Sequence, residues 1–123
     1  MMHTISLTYC RWFQKSYGNS YFALSIYLED YEKQNFNYFL TENLEYGYST
    51  QPFYSAIKHL RELGYDVSDS RYIKQNDEYI RVITINGVDY KIIDTDMGYL
   101  PRQKDCKNWI ATCKRVFPEY IAI

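Results

Sequence analysis

Two stretches of this chain alternate apolar and polar residues on either side of a turn, and that pattern constrains the fold more than any other feature. In the first, Ile5, Leu7 and Tyr9 alternate with Thr4, Ser6 and Thr8 within Thr4 to Phe13, the two-residue period of a half-buried strand. After the turn-prone Lys15-Ser16-Tyr17-Gly18-Asn19-Ser20, the pattern resumes with Phe22, Leu24, Ile26 and Leu28 on one face and Tyr21, Ala23, Ser25 and Tyr27 on the other. Gly18 and Asn19 tolerate the positive backbone angles of a tight reversal. In the second stretch, Tyr79 to Ile85 and Val88 to Asp94 flank Asn86-Gly87, the dipeptide that most favours a two-residue type I′ turn. Such a turn sets Ile85 opposite Val88, Ile83 opposite Tyr90 and Arg81 opposite Ile92.

The segments around these hairpins complete an order of three strands, a helix, two strands and a helix. Glu29 to Lys33 is a charged break, and Phe36, Tyr38 and Leu40 then alternate with Asn35 and Asn37 in a third, edge-lying strand. Ser49 or Thr50 offers a cap oxygen and Pro52 suits a first helical turn. Phe53, Ala56, Ile57, Leu60 and Leu63 recur at helical spacing until Gly64. Val67 to Asn76 is polar and without period, which predicts a loop. Pro101 opens a last helix whose Cys106, Trp109, Ile110, Cys113 and Phe117 form one apolar stripe, closed by Pro118. The expectation is one α+β domain over residues 1–123, with a mostly antiparallel sheet of about five strands and both helices packed on one face.

Several function classes are disfavoured. With 123 residues the chain has the length of a single domain. No apolar run approaches the ~20 residues that span a bilayer, and the opening Met-Met-His-Thr-Ile-Ser lacks the basic head and apolar stretch of a signal peptide. Cys10, Cys106 and Cys113 are an odd set without paired spacing, which points to a reducing compartment. The expected location is therefore cytoplasmic, without a membrane partner. A net charge of −1 provides no bulk attraction to nucleic acid.

The catalytic inventory is sparse. His59, off the apolar stripe of the first helix, reads as a surface histidine rather than a general base. No Gly-x-Ser-x-Gly elbow is present. Cys106 and Cys113 lie seven apart on one helix face, a spacing that suits small core thiols and not zinc pairs. Asp94-Thr95-Asp96-Met97-Gly98 starts like a calcium loop but lacks the later acidic ligands, and reads as a strand-ending turn. The glycines are scattered one per turn, unlike a phosphate-binding loop. Neither a metal nor a cofactor is expected. An enzyme built from His59, tyrosines and Asp94 or Asp96 has no residue pattern that specifies a reaction.

Charge and aromatic residues carry the remaining information. From Gly18 to Ile57 the only cation is Lys33, against Glu29, Asp30, Glu32, Glu42 and Glu45, whereas Arg102, Lys104, Lys107, Lys114 and Arg115 crowd the last helix. Fifteen residues are tyrosine, and Tyr17, Tyr21, Tyr27, Tyr31, Tyr46, Tyr48, Tyr54 and Tyr65 cannot all enter the core of so small a domain. Exposed tyrosines supply rigid contact area with a polar tip, which suits protein interfaces. They also stack on unpaired bases where cations accompany them. The tyrosine-rich half is the acidic half, which favours a protein partner.

At Arg11-Trp12-Phe13-Gln14-Lys15-Ser16-Tyr17-Gly18-Asn19-Ser20-Tyr21-Phe22, then Glu45-Tyr46-Gly47-Tyr48 and Leu60-Arg61-Glu62-Leu63-Gly64-Tyr65, the first half of the chain resembles small proteins of tailed bacteriophages. These share a W-F-x-x-x-Y-G-N-x-Y hairpin and a Y-G-Y element before a helix. The resemblance implies a phage setting, in the cytoplasm of an infected bacterium, and carries no catalytic residues. It makes a non-enzymatic inhibitor of a host protein or ribonucleoprotein complex, of anti-CRISPR or anti-restriction type, the leading expectation. Trp12, Tyr17, Tyr21, Tyr46 and Tyr48, with Glu42 and Glu45, are the expected contacts. The alternative is a single-stranded nucleic-acid binder using Arg11, Lys15, Arg102, Lys104, Lys107, Lys114 and Arg115. The third strand, as an open edge, also offers a route to a homodimer.

Overall fold

A computed structural model describes residues 2–30 and 33–123, so Tyr31 and Glu32 lie outside the described residues. The chain forms β1 (His3–Gln14), β2 (Asn19–Asp30), β3 (Asn35–Leu40), β4 (Glu45–Tyr46), α1 (Gln51–Glu62), β5 (Arg71–Gln75), β6 (Glu78–Ile85), β7 (Val88–Leu100), α2 (Gln103–Val116) and β8 (Ile121–Ala122). All eight strands belong to one sheet, ordered β5-β6-β7-β1-β2-β3-β8, with β4 against β2. The fold is α+β as expected, but the sheet is larger than five strands and mixed. β1 runs parallel to β7 and β3 runs parallel to β8, and the remaining pairs are antiparallel.

The extra strands come from short or polar segments. β5 lies in the stretch expected to be a loop; its turn to β6 is Asn76-Asp77, both at positive φ (53° and 63°), a backbone conformation that Asn and Asp tolerate without glycine. β4 and β8 are two residues each, too short to show a period. β3 is an open edge only from Asn35 to Tyr38, because β8 covers Phe39 and Leu40.

The helices do not share a face. Ile5, Leu7 and Tyr9 of β1 with Phe22, Leu24, Ile26 and Leu28 of β2 pack under Phe53, Ala56, Ile57 and Leu60 of α1. The opposite parity, Cys10 of β1 and Ala23 of β2, packs with Tyr38 and Leu40 against Cys106 and Ile110 of α2, with Trp12, Tyr27 and Phe117 at its margin. The sheet is thus a middle layer. The physical reason lies in the second face of the first hairpin, where cysteine, alanine and aromatic side chains make a surface that also needs cover. Each fully buried aliphatic or phenyl group contributes about 1.5–3 kcal/mol, so both layers stabilise the central strands.

Local geometry follows the chain. Gly18 closes the first reversal at φ 68° and its amide donates to Gln14 O at 2.8 Å. Asn86-Gly87 adopts φ 50° and 80° and sets Ile83 opposite Tyr90 and Ile85 opposite Val88. The ladder ends at Val82 and Lys91, before the expected Arg81 and Ile92 pair. α2 begins two residues past Pro101, its expected opening position, at Gln103, with Asp105 accepting from the Arg102 backbone at 3.0 Å in a capping box.

Candidate functional site

The end of the sheet at the first reversal gathers the aromatic residues. Register places Trp12 opposite Tyr21, and Tyr21 opposite Tyr46 on the other flank of β2. Trp12 and Tyr21 stack with centroids 5.7 Å apart, Tyr21 meets Tyr46 edge to face at 5.7 Å, and Tyr46 meets Tyr48 edge to face at 5.7 Å. Such geometries suit the aromatic quadrupole. The Tyr48 hydroxyl donates to Gly18 O in the reversal itself, and the Gly47 amide donates to Ser20 O at 2.9 Å. The Y-G-Y element is therefore pinned to the first hairpin.

Gly47 is required here for space. A Cβ at this position would lie 2.2 Å from Gln51 Cγ, 2.6 Å from Gln51 Cβ and 3.2 Å from the Phe22 ring. The missing side chain lets the first turn of α1 come down beside β2, which fixes Tyr46 and Tyr48 at the aromatic end.

Four of the five expected aromatic contacts thus form one continuous row, with Tyr46 58% exposed. Tyr17 stands apart in the reversal, 76% exposed. Phe13 and Tyr99, both exposed and edge to face at 6.4 Å, extend the aromatic surface around the other side; neither stood out in the sequence, since Tyr99 arrives only through the long parallel strand β7.

The charged residues are placed differently from the sequence-based picture. Glu42 pairs with Lys114 at 2.6 Å, and that ammonium holds the Glu42 carboxyl below its usual range. Glu45 points inward to α1, accepting from the Ser55 hydroxyl and from His59 Nε2, the latter at 2.6 Å. His59 is accordingly half-buried rather than directed to solvent, because β4 brings a carboxylate beside the helix. In this Ser55, Glu45 and His59 group the carboxylate sits in the middle. Ser55 donates to the carboxylate, not to the imidazole, so the contact that activates a serine nucleophile is not made.

Among the cations, Arg11 is only 5% exposed and its Nε lies 3.0 Å from Asp96. It braces the sheet and is not a surface group. Arg102 pairs with Asp105 at 2.9 Å, and Arg115 donates to the Thr112 hydroxyl at 3.0 Å. Lys15, Lys104 and Lys107 are exposed. Lys107 joins Gln103, Trp12, Tyr21, Asn43 and Leu44 in lining a groove of about 270 Å³, so α2 brings the Lys107 ammonium to the aromatic row.

Cys10 and Cys106 face each other between β1 and α2, both fully buried. The hydrogen bond to Cys106, then burial, pushes the Cys10 thiol up. Of the two thiols expected in the core, Cys106 is buried there and Cys113 is only partly buried, and Cys10 is the second fully buried thiol. Among the described residues no cluster of His, Cys, Asp and Glu is arranged to hold a metal ion, and no helix is long and apolar enough to cross a membrane. No protein-family model, curated protein or solved structure matches the chain.

Proposed function

We propose that this chain is a non-enzymatic binding protein that seats a host protein complex on the aromatic end of its sheet, in the manner of a phage inhibitor of bacterial defence. The single observation that carries this reading is the unbroken aromatic row from Trp12 through Tyr21 and Tyr46 to Tyr48, anchored in the core at one end and open to solvent at the other. Aromatic side chains held by neighbours lose little freedom on binding, which is the character of interface anchors. With Glu42 and Glu45 engaged within the fold, affinity comes from Tyr17, Tyr46 and the exposed face of Tyr48 rather than from acidic contacts. The phage resemblance of the same segments supplies the class of partner.

The test is affinity capture from bacterial lysate with the intact chain and with Tyr17→Ala and Tyr46→Ala combined, residues whose exposure leaves the fold unperturbed. A stoichiometric protein complex recovered with the parent chain and lost with the double variant is expected. Equal recovery by both chains overturns the assignment of this surface.

A second reading rests on the groove in which Lys107 and Gln103 meet Trp12 and Tyr21. A cation beside stacked rings is the arrangement that single-stranded nucleic acid uses. It requires binding of an oligonucleotide that weakens with salt, with a slope reduced by about 0.7 in Lys107→Gln. Absence of binding at low salt removes it.

A further inference from the structure

Among the described residues, part of β7 has no neighbour on its outer side. The ladder between β6 and β7 runs from Ile85 and Val88 to Val82 and Lys91 and stops there, while β6 continues paired to β5 alone. Among the described residues, β7 from Ile92 onward is paired only on its inner side, to β1. Ile93, Asp94, Thr95, Asp96 and Met97 are all exposed, so these residues meet solvent on both faces as well as along the outer edge. The segment expected to be a strand-ending turn is instead regular strand through Asp96. Beyond it the register with β1 shifts, and Gly98 takes φ 82°, a bulge that bounds the open edge.

The two faces of this edge differ in chemistry. Ile92 belongs to the core under α1, so Asp94 and Asp96 project on that side and Ile93, Thr95 and Met97 on the other. Ile93 is 45% and Met97 46% exposed. Both Asp96 oxygens are engaged, one by Arg11 at 3.0 Å and the other by the Gly98 amide at 2.8 Å. Asp94 lies near the Tyr9 hydroxyl, which it helps to raise, and it has no ion pair among the described residues. The open backbone thus presents one carboxylate without a cation, backed by exposed aliphatic groups on the reverse face.

We propose that the edge of β7 from Ile92 to Asp96 accepts an extended segment of a partner protein by strand addition, the segment alternating apolar and basic residues with a basic residue opposite Asp94. Free N–H and C=O groups bind the incoming backbone, the cation satisfies Asp94, and the apolar residues cover Ile93 and Met97. A second copy of this chain does not fit. Antiparallel self-pairing centred on Thr95 sets Asp94 opposite Asp96, and centred on Asp94 it sets that carboxylate against itself; like charges directly opposite destabilise a strand pair. The edge uses none of the aromatic residues assigned above, so it stands or falls separately.

The probe is a labelled heptapeptide of alternating valine and lysine, followed by fluorescence anisotropy and by amide hydrogen exchange of the intact chain. Binding is expected together with slowed exchange confined to residues 92–96. Asp94→Lys should weaken it on the order of tenfold and should bind the valine and glutamate peptide instead; Asp94→Asn, which preserves an acceptor for Tyr9, should weaken it without that switch. Equal affinity for a peptide N-methylated at successive backbone positions, equal affinity for a scrambled peptide, or protection elsewhere in the chain overturns the proposal. So does absence of binding, or sedimentation of the parent chain as a dimer with slowed exchange at residues 92–96, which would make a second copy the occupant.

Discussion

The Arg11 guanidinium and the Asp96 carboxylate form one ion pair, Nε to Oδ2 at 3.0 Å, across the parallel strands β1 and β7. Arg11 also donates to Ser49 O at the start of α1 and lies over the Tyr9 and Tyr99 rings at 5.2 and 5.9 Å. Its Nη1 is buried without a partner among the described residues, so the side chain is incompletely satisfied there. Removing Asp96 leaves a buried charge with a backbone carbonyl as its remaining polar contact. Asp96→Ala is therefore expected to cost about 2–3 kcal/mol, below the full penalty of a wholly buried pair because the carboxylate is half exposed. Urea denaturation measures it, and Arg11→Met combined with Asp96→Ala should cost less than the sum of the single changes.

Gly47→Ala tests the close approach that sets the aromatic row. The clash is with the Cβ and Cγ of Gln51 in the first helical turn, so α1 must shift. A loss of about 1–3 kcal/mol is expected, together with a changed near-ultraviolet circular dichroism signal from Tyr46 and Tyr48. Gln51→Gly in the same chain should recover part of both.

Alkaline stability is predicted from the buried phenols. Burial, then the hydrogen bond to Asp94, raises Tyr9 from 10.0 to about 12, and burial raises Tyr38 and Tyr90 as well. The neutral phenol is favoured in the folded state, so its contribution is complete below pH 10.0 and is lost as pH rises through about 12. Ellipticity followed against pH should fall in that window, and Tyr9→Phe should make the fall shallower.

On the acid side the sign reverses. Glu42 is held low by Lys114, Asp89 by Thr84 and Arg71, and Asp105 by Arg102. Their folded values lie below the unfolded ones, so stability from these groups is present above the ordinary carboxylate range and is lost as pH falls through the depressed values. Carboxyl carbon chemical shifts should show Glu42 titrating below its ordinary 4.5, and Lys114→Met should return it upward. High salt should reproduce part of that return.

Thiol chemistry distinguishes the cysteines. Cys10 and Cys106 are fully buried, whereas Cys113 is partly exposed and raised chiefly by burial. In the folded protein a thiol reagent should modify Cys113 slowly and first. Cys10 and Cys106 should react only with global unfolding, so urea should accelerate them together.

Much of the fold was legible in the chain. Strict alternation in β1, β2, β6 and β7, the Asn-Gly turn and the apolar stripes of α1 and α2 are local patterns with local physical causes, and the structure contains each of them. Asn76-Asp77 was a turn signal of the same kind, obscured by the polarity of β5. The aromatic row was legible in part: Trp12, Tyr21, Tyr46 and Tyr48 lie in the segments around the first hairpin and the Y-G-Y element, but the partners of Glu42, Glu45 and Arg11 come from segments remote in sequence.

Sequence periodicity tells which residues share a face of a strand, because side chains alternate along any extended chain. It does not tell which strand lies beside which, and here that decides the rest. The parallel pairing of β1 with β7 buries Arg11 against Asp96 and carries the strand through Asp94 into an open edge. Helices on opposite faces use both parities of the first hairpin, and Gly47 lets α1 close over one of them. These features depend on contacts between segments tens of residues apart, whose free energy is realised only when the whole sheet is assembled.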